Sequence, residues 1–388
     1  MYTSGRKNCA LQGVLELREM SIDWDSVREE FPALARWTYL NTATYGQVPR
    51  RGVAADATHW ANREKFACSD FLHWYDDADL IRASIARLIH ATPDDIAFLT
   101  NSASALGLLA GGIDWKPGEN VVTLAEEFPN CLYLPALVGR HGVEFREVPW
   151  ECFYSAIDAR TRLVALSEVN YANGFRPPLE EVTGFLRSRG VLLYVDGTQS
   201  VGALQFDVRR TQPDMLAVHA YKWMISPTGT GFMYVAPSLR AKLPPAVAGW
   251  RTHCDWRNVD NLHHGMPSLK DSAEKYEGGG LQFGLLHALG AVVDWMLALG
   301  PEEIETRVLE LAHSVRQRMI ALGATAEDTG SPIVAVKFEG ADPSSIAREL
   351  KSQHVLVAAR HGFLRISPHF YNNERDLDVL EEKLRKLL

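Results

Sequence analysis

Seven short apolar runs set the limits on how this chain can fold. They read IAFLT, NVVTLA, VEFREVPW, RLVALSEV, VLLYVD, DMLAVH and GFMYVA, all between residues 96 and 236. Helix-like stretches separate most of them, at spacings of roughly 20–30 residues. That rhythm belongs to βαβ units and a largely parallel sheet. The seventh run differs, because it follows the sixth after only a short glycine-rich turn. So short a link cannot make a parallel crossover, and this strand is expected to return antiparallel.

Open sheets of this kind bind ligands at the carboxyl ends of their strands, so the residues there carry the functional reading. VLLYV delivers Asp196, with Gln199 three residues on, and DMLAVHAY delivers Lys222. Taken singly, a lysine at a strand end snorkels to solvent and an aspartate before a glycine caps a turn. As a pair at the mouths of neighbouring strands, they are what pyridoxal phosphate (PLP) needs. The lysine forms a Schiff base and the carboxylate keeps the pyridine ring protonated as an electron sink. Burial after an apolar run should also lower the pKa of Lys222. NSASALG, directly after IAFLT, is a strand–loop–helix junction of small residues. Its backbone N–H groups and the hydroxyls of Ser102 and Ser104 suit a phosphate at a helix N-terminus. Capping of the helix by Ser102 is the alternative use of the same residues. His219 and Tyr221 flank Lys222 with donors that reach toward the same phosphate.

The chain has 388 residues, 46% hydrophobic and 23% charged, with a formal net charge of -8. An acidic globular protein is the expectation, with no nucleic-acid surface and no membrane partner. Its five cysteines are scattered without a CxxC pair, which favours neither zinc nor disulfides and fits a reducing cytoplasm. PTGTGF precedes a strand rather than a helix, so it is no dinucleotide fingerprint. Walker, HExxH and GxSxG motifs are absent from the sequence. Residues 1–20 read as an extension without a secretory signal. A short helix over Ser21–Phe31, capped by Ser21 or Asp23, should follow. Arg51–Trp60 and Asp79–His90 also read as helices. Leu281–Leu299 is the longest apolar stretch, but Gln282, His287 and Asp294 make it a buried linking helix rather than a membrane span. Residues 21–55 are expected to pack with a small domain, 56–280 to form a large cofactor-binding domain, and 281–388 to supply the linking helix and the small α+β domain.

From YLNTATYG to FLRISPHFYN, the order of motifs resembles the class V aminotransferases of the fold-type-I PLP enzymes. That group includes cysteine desulfurases, isopenicillin N epimerase-like proteins and kynureninases. DGTQ…HAYK is the most specific part of the resemblance. It implies an α/β fold with a seven-stranded, mainly parallel large-domain sheet and a small α+β domain, assembled as a homodimer. By position, it implies that Lys222 holds the cofactor and moves protons, Asp196 pairs with the ring nitrogen, and Gln199 reaches the ring's phenolic oxygen. Ser102, Ala103 and Ser104 match the phosphate turn, with His219 and Tyr221 as side-chain donors. Phe128 matches the ring-stacking position. Gly279 and Gly280, in YEGGG, match a segment that touches the phosphate across the subunit interface, though Gly280 has no hydroxyl to offer. Arg365 matches the clamp for a substrate carboxylate, while Asn41, Thr42 and Tyr171 line the substrate side.

Desulfurases carry a nucleophilic cysteine on a loop before the clamp arginine, whereas VAARHGFLR is short and has none. With Phe128 in place of a proton-bearing ring, this favours β-elimination from an amino acid such as an S-conjugated cysteine. Transamination and epimerisation are the alternative outcomes. A PLP-binding protein without catalysis is the reading from a different class.

Overall fold

A computed structural model describes residues 22–388, so the 1–20 extension and a cap at Ser21 lie outside the described residues. The seven apolar runs become β1 (Ile96–Leu99), β2 (Asn120–Leu124), β3 (Glu144–Val148), β4 (Thr161–Ser167), β5 (Leu192–Asp196), β6 (Met215–His219) and β7 (Gly231–Val235). They form one sheet in the order β1-β7-β6-β5-β4-β2-β3. β2 through β6 pair parallel, while β7 runs antiparallel to both β6 and β1, as its short link requires. The strands in the middle of the sheet are apolar without alternation because helices or loops cover both faces. At the open edge, β3 carries Glu144 and Arg146, which pair with each other, and Arg146 also reaches Asp158. Charge of this kind blunts an exposed edge against further pairing.

The helix Arg50–Phe66 outruns its sequence-based bounds at both ends, while Phe71–Leu88 begins before Asp79 and stops short of His90. The polar run Asn62–Lys65 extends the first one along a solvent face, where propensity, not apolar period, decides. Asp23 does cap its helix, accepting the Ser26 N–H at 3.1 Å. That helix covers only Trp24–Arg28, and Pro32 opens a 3₁₀ turn beyond it. The apolar helix Phe283–Leu299 packs into the core against Arg50–Phe66 and Phe71–Leu88. Gly290 permits the approach, since a Cβ there would sit 2.6 Å from Ile81 Cγ1. Among the described residues, no single helix is long and apolar enough to cross a membrane.

The C-terminal part builds a four-stranded antiparallel sheet from Thr325–Ala326, Val334–Lys337, Ala358–Arg360 and Phe363–Ile366. HVLVAAR is therefore not one strand. Its Val355–Leu356 pairs instead with Thr38–Tyr39 of the N-terminal segment. Arg360 faces Phe363 across the final hairpin, which leaves a turn of His361 (φ 45°) and Gly362 (φ 80°). Two positive φ values in a row make it a type I′ turn, the form that matches strand twist. This hairpin and the NTATYG loop, tied by an Asn41–Ser367 bridge, lie against the carboxyl ends of the large sheet.

Candidate active site

β5 ends at Asp196, which pairs with Ala217 of β6, and Lys222 follows three residues after β6. The chain past Lys222 turns sharply. The Ile225 N–H bonds back to the Lys222 carbonyl at 3.0 Å, and Ile225 itself has φ 43°. A β-branched residue resists that conformation, so the neighbouring packing must hold it. Gly46 supplies part of the hold by donating to the Tyr221 carbonyl at 2.8 Å. A Cβ at Gly46 would lie 1.9 Å from the Lys222 carbonyl oxygen, so only glycine fits. The Lys222 side chain is buried, with its Nζ 5.3 Å from the centre of the Phe128 ring. Burial pushes its pKa down to about 7, against the pull of Asp196, with Arg365 and Arg360 lowering it further.

Asp196 accepts the Thr198 N–H at 2.9 Å, and the Thr198 hydroxyl accepts the His219 N–H at 3.0 Å. One threonine thus locks the two strand ends together. His219 packs edge-on against Tyr221 at 4.2 Å, and its buried Nε2 has no partner among the described residues. Burial, then the Lys222 charge, hold this imidazole down at about 4, so it is neutral. Gln199 is pinned at both ends, accepting from the Trp223 indole at 2.9 Å and donating to the Ala43 carbonyl at 3.0 Å. One amide N–H remains for a ligand.

Phe128 sits edge-on to Tyr171 at 5.2 Å and is set in place by Glu127. The buried Glu127 carboxyl accepts from the Ser167 N–H at 2.7 Å, the Ser167 hydroxyl at 2.5 Å and the Phe128 N–H at 3.3 Å. Ser167 lies directly across from Asp196 in the sheet. Burial raises the Glu127 pKa to about 7 despite these bonds.

At the other end, Ser102 opens the helix Ser102–Gly112 but does not cap it. Asn101 does, accepting the Ser104 N–H at 3.0 Å and its hydroxyl at 3.2 Å. Ser104 is thus committed to the cap, while Ser102 and Ala103 hold the first helical N–H positions. The Ser102 hydroxyl accepts from Asn130 at 3.1 Å. Ser104 and Gly280 line one cavity of about 420 Å³, and Gly279 lies beside it with its N–H on the Glu277 carbonyl.

Arg365 is fully buried and has no acidic partner among the described residues. Its two terminal nitrogens donate to the Tyr171 carbonyl at 2.5 Å and the Thr44 hydroxyl at 2.6 Å, and its buried Nε has no partner among the described residues. Burial, then the neighbouring Arg360, push its pKa down to about 9, so it keeps its charge at neutral pH. A buried cation lacking an anion is costly unless a ligand supplies one. Asn41 supports this clamp indirectly, by accepting from the Thr44 hydroxyl at 2.8 Å. Thr42 does not line the substrate side. Its hydroxyl is fully buried against the Tyr371 hydroxyl at 2.7 Å, turned away because the Thr42 N–H and the Ala43 N–H both bond to Ser367. Thr44, passed over in the sequence, is the threonine of this loop that meets Arg365. Thr198, Glu127 and Asn101 were also missed, and of these only Asn101 carried a sequence signal, as a capping residue before a small-residue helix.

The Aminotransferase class-V family profile matches residues 72–380. The chain belongs to the class-V aminotransferases. Its cofactor is pyridoxal phosphate. It is 26% identical to a "Probable cysteine desulfurase" of Methanothermobacter thermautotrophicus, over 94% of this chain and 98% of that one. It is 28% identical to the isopenicillin N epimerase of Streptomyces clavuligerus, again over 94% and 98%. In fold it resembles the cystine C-S lyase C-DES, solved with its product cysteine persulfide. That match has a TM-score of 0.85 and 21% identity, and covers 92% of this chain and 99% of the other. The architecture is that of the fold-type-I PLP enzymes.

The residues present fit this cofactor. The site offers a buried amine of lowered basicity over an aromatic face, a carboxylate with one oxygen engaged by Thr198, and an imidazole nitrogen left without a partner.

Proposed function

We propose that this enzyme cleaves the Cβ–S bond of S-substituted cysteines by α,β-elimination. The observation that carries the reading is the hairpin leading to Arg365. It turns through His361 and Gly362 and offers no thiol to accept sulfur, so the sulfur must leave with its own substituent. The sulfur chemistry in the names of the desulfurase and C-S lyase relatives supports the same substrate class.

In this reading, Arg365 grips the substrate carboxylate in a bidentate pair, steered by Thr44 and the Tyr171 carbonyl. Pyridoxal phosphate, when bound, supplies the electron sink for the bond broken at Cα. Lys222 would anchor it and, when free, would take the Cα proton, a task its lowered pKa suits near neutral pH. Asp196 would hold the ring nitrogen, and Gln199 would offer its remaining N–H to the ring oxygen. His219, Tyr221 and the N–H groups of Ser102 and Ala103 would hold the phosphate. Phe128 walls one side and carries no proton to return, which disfavours epimerisation through that face.

Incubating purified enzyme with cystine and S-alkyl cysteines tests the reading. Pyruvate and a free thiol or persulfide are expected, with none from Lys222→Ala. Amino-group exchange with added keto acids and no pyruvate would establish transamination instead.

A further inference from the structure

The elimination leaves a sulfur that needs a proton, and Lys222 is occupied with the one from Cα. A second pair of titratable groups stands on the other side of the site. The Tyr171 hydroxyl and His361 Nε2 are 2.5 Å apart, either able to donate according to the histidine tautomer. Tyr171 belongs to the substrate wall twice over, since its carbonyl accepts from Arg365 and its ring meets the edge of Phe128. His361 is exposed at the tip of the hairpin, in open contact with water. Contact thus runs without a break from the buried amine through Phe128 and Tyr171 to a solvent-facing imidazole. The left-handed conformation of His361, set by the type I′ turn, directs its Cα–Cβ bond, and the bond to Tyr171 orients the ring.

We infer that Tyr171 is the acid that protonates the departing sulfur, and that His361 resupplies its proton from solvent. This assignment rests on the elimination reading above. The Cα–H electron pair forms a Cα=Cβ bond as the Cβ–S bond breaks, and the sulfur keeps the C–S pair. The phenol proton passes to that sulfur, and His361 returns one to the phenolate. No oxidation state changes beyond those of the elimination itself. Burial raises the Tyr171 pKa, so the phenol is protonated at neutral pH. Arg360 and Arg365 oppose this shift and stabilise a transient phenolate, while Glu126 and Glu127 act the other way.

The test compares two leaving groups. S-Ethylcysteine releases a thiolate that needs a proton, whereas β-chloroalanine releases chloride, which needs none. In Tyr171→Phe, kcat/KM for S-ethylcysteine should fall on the order of 10²-fold or more beyond whatever loss the same variant shows on β-chloroalanine. His361→Gln should show the same selectivity more weakly and alter the pH profile for S-ethylcysteine alone. Equal losses on both substrates, or none on S-ethylcysteine, would overturn the assignment while leaving elimination intact. Wild-type enzyme yielding pyruvate from neither substrate would overturn the elimination reading itself, and this assignment with it. A readout independent of turnover comes from NMR of the cofactor-free protein. There the His361 ring resonances should shift on Tyr171→Phe as the hydrogen bond is lost, and unmoved resonances would refute the pairing.

Discussion

The lysine at the centre of the site should be half neutral at physiological pH before any cofactor arrives. Burial takes Lys222 from 10.5 to about 7, a difference of 10.5 − 7 = 3.5. At pH 7 an exposed lysine is deprotonated in only about 3 chains in 10,000, whereas Lys222 is deprotonated in about half. The perturbation is pH, applied to the cofactor-free protein, and the assay is brief acetylation followed by peptide mass spectrometry. Labelling of Lys222 should be half-maximal near pH 7. Stability should respond in step. The unfolded chain keeps the ordinary pKa, so between pH 7 and 10.5 it binds the extra proton and stability rises with pH. The penalty is complete below the folded pKa and gone above the unfolded one, ~4–5 kcal/mol across the window. Lys222→Met removes it, so the stability gap between variant and wild type should be widest at and below pH 7 and close by about pH 10.5. A labelling midpoint near 9 or 10, or a gap that does not narrow, would refute the argument.

Arg365→Lys keeps the charge but loses the planar fork, so KM for amino-acid substrates should rise about 10- to 100-fold with a smaller change in kcat. Binding of amines without a carboxylate, measured by cofactor absorbance, should be unaffected. Gly46→Ala forces a methyl onto the Lys222 carbonyl, and thermal unfolding should show a loss of at least about 1–3 kcal/mol together with weaker cofactor retention. Glu127, raised to about 7 by burial, favours the fold below pH 4.5 and loses that contribution as pH climbs through 7. Glu127→Gln should therefore flatten the fall in stability over this window. It should not abolish it, because Glu168 is raised to about 7 in the same way.

The parts of the site legible in the sequence are those that strand ends dictate. Asp196 and Lys222 each follow an apolar run, and a buried run delivers whatever comes next to the sheet's edge. The antiparallel return of β7 followed from the length of its link alone. Residues whose roles depend on distant partners were hidden. Thr42 and Thr44 look equivalent in NTATYG, and the choice between them is made by Ser367 and Arg365, more than 300 positions away. Glu127 reads as one more charge in EEFPN until Ser167, 40 residues on, closes over it. Asn101 and Ser102 are both good caps, and the decision falls to the extended backbone of Asn101 at φ -168° and ψ 160°.

The same charges that lower the Lys222 pKa give the site a way to time its chemistry. Arg365 holds the amine down while the clamp is empty, which favours the neutral form needed to engage the cofactor. A bound carboxylate cancels the guanidinium, and that part of the depression should vanish. Lys222 would then become more basic once substrate is in place, when, in the elimination proposed above, it takes the Cα proton. Linkage makes this reciprocal, since a carboxylate that raises the lysine's proton affinity must bind better when the lysine is protonated. A saturating simple carboxylate such as propionate should therefore move the Lys222 labelling midpoint upward in the cofactor-free protein. The effect should be lost in Arg365→Ala, whose own midpoint should already lie above that of the wild type. A carboxylate that moves both proteins equally would show that it acts elsewhere, and the timing argument would fall.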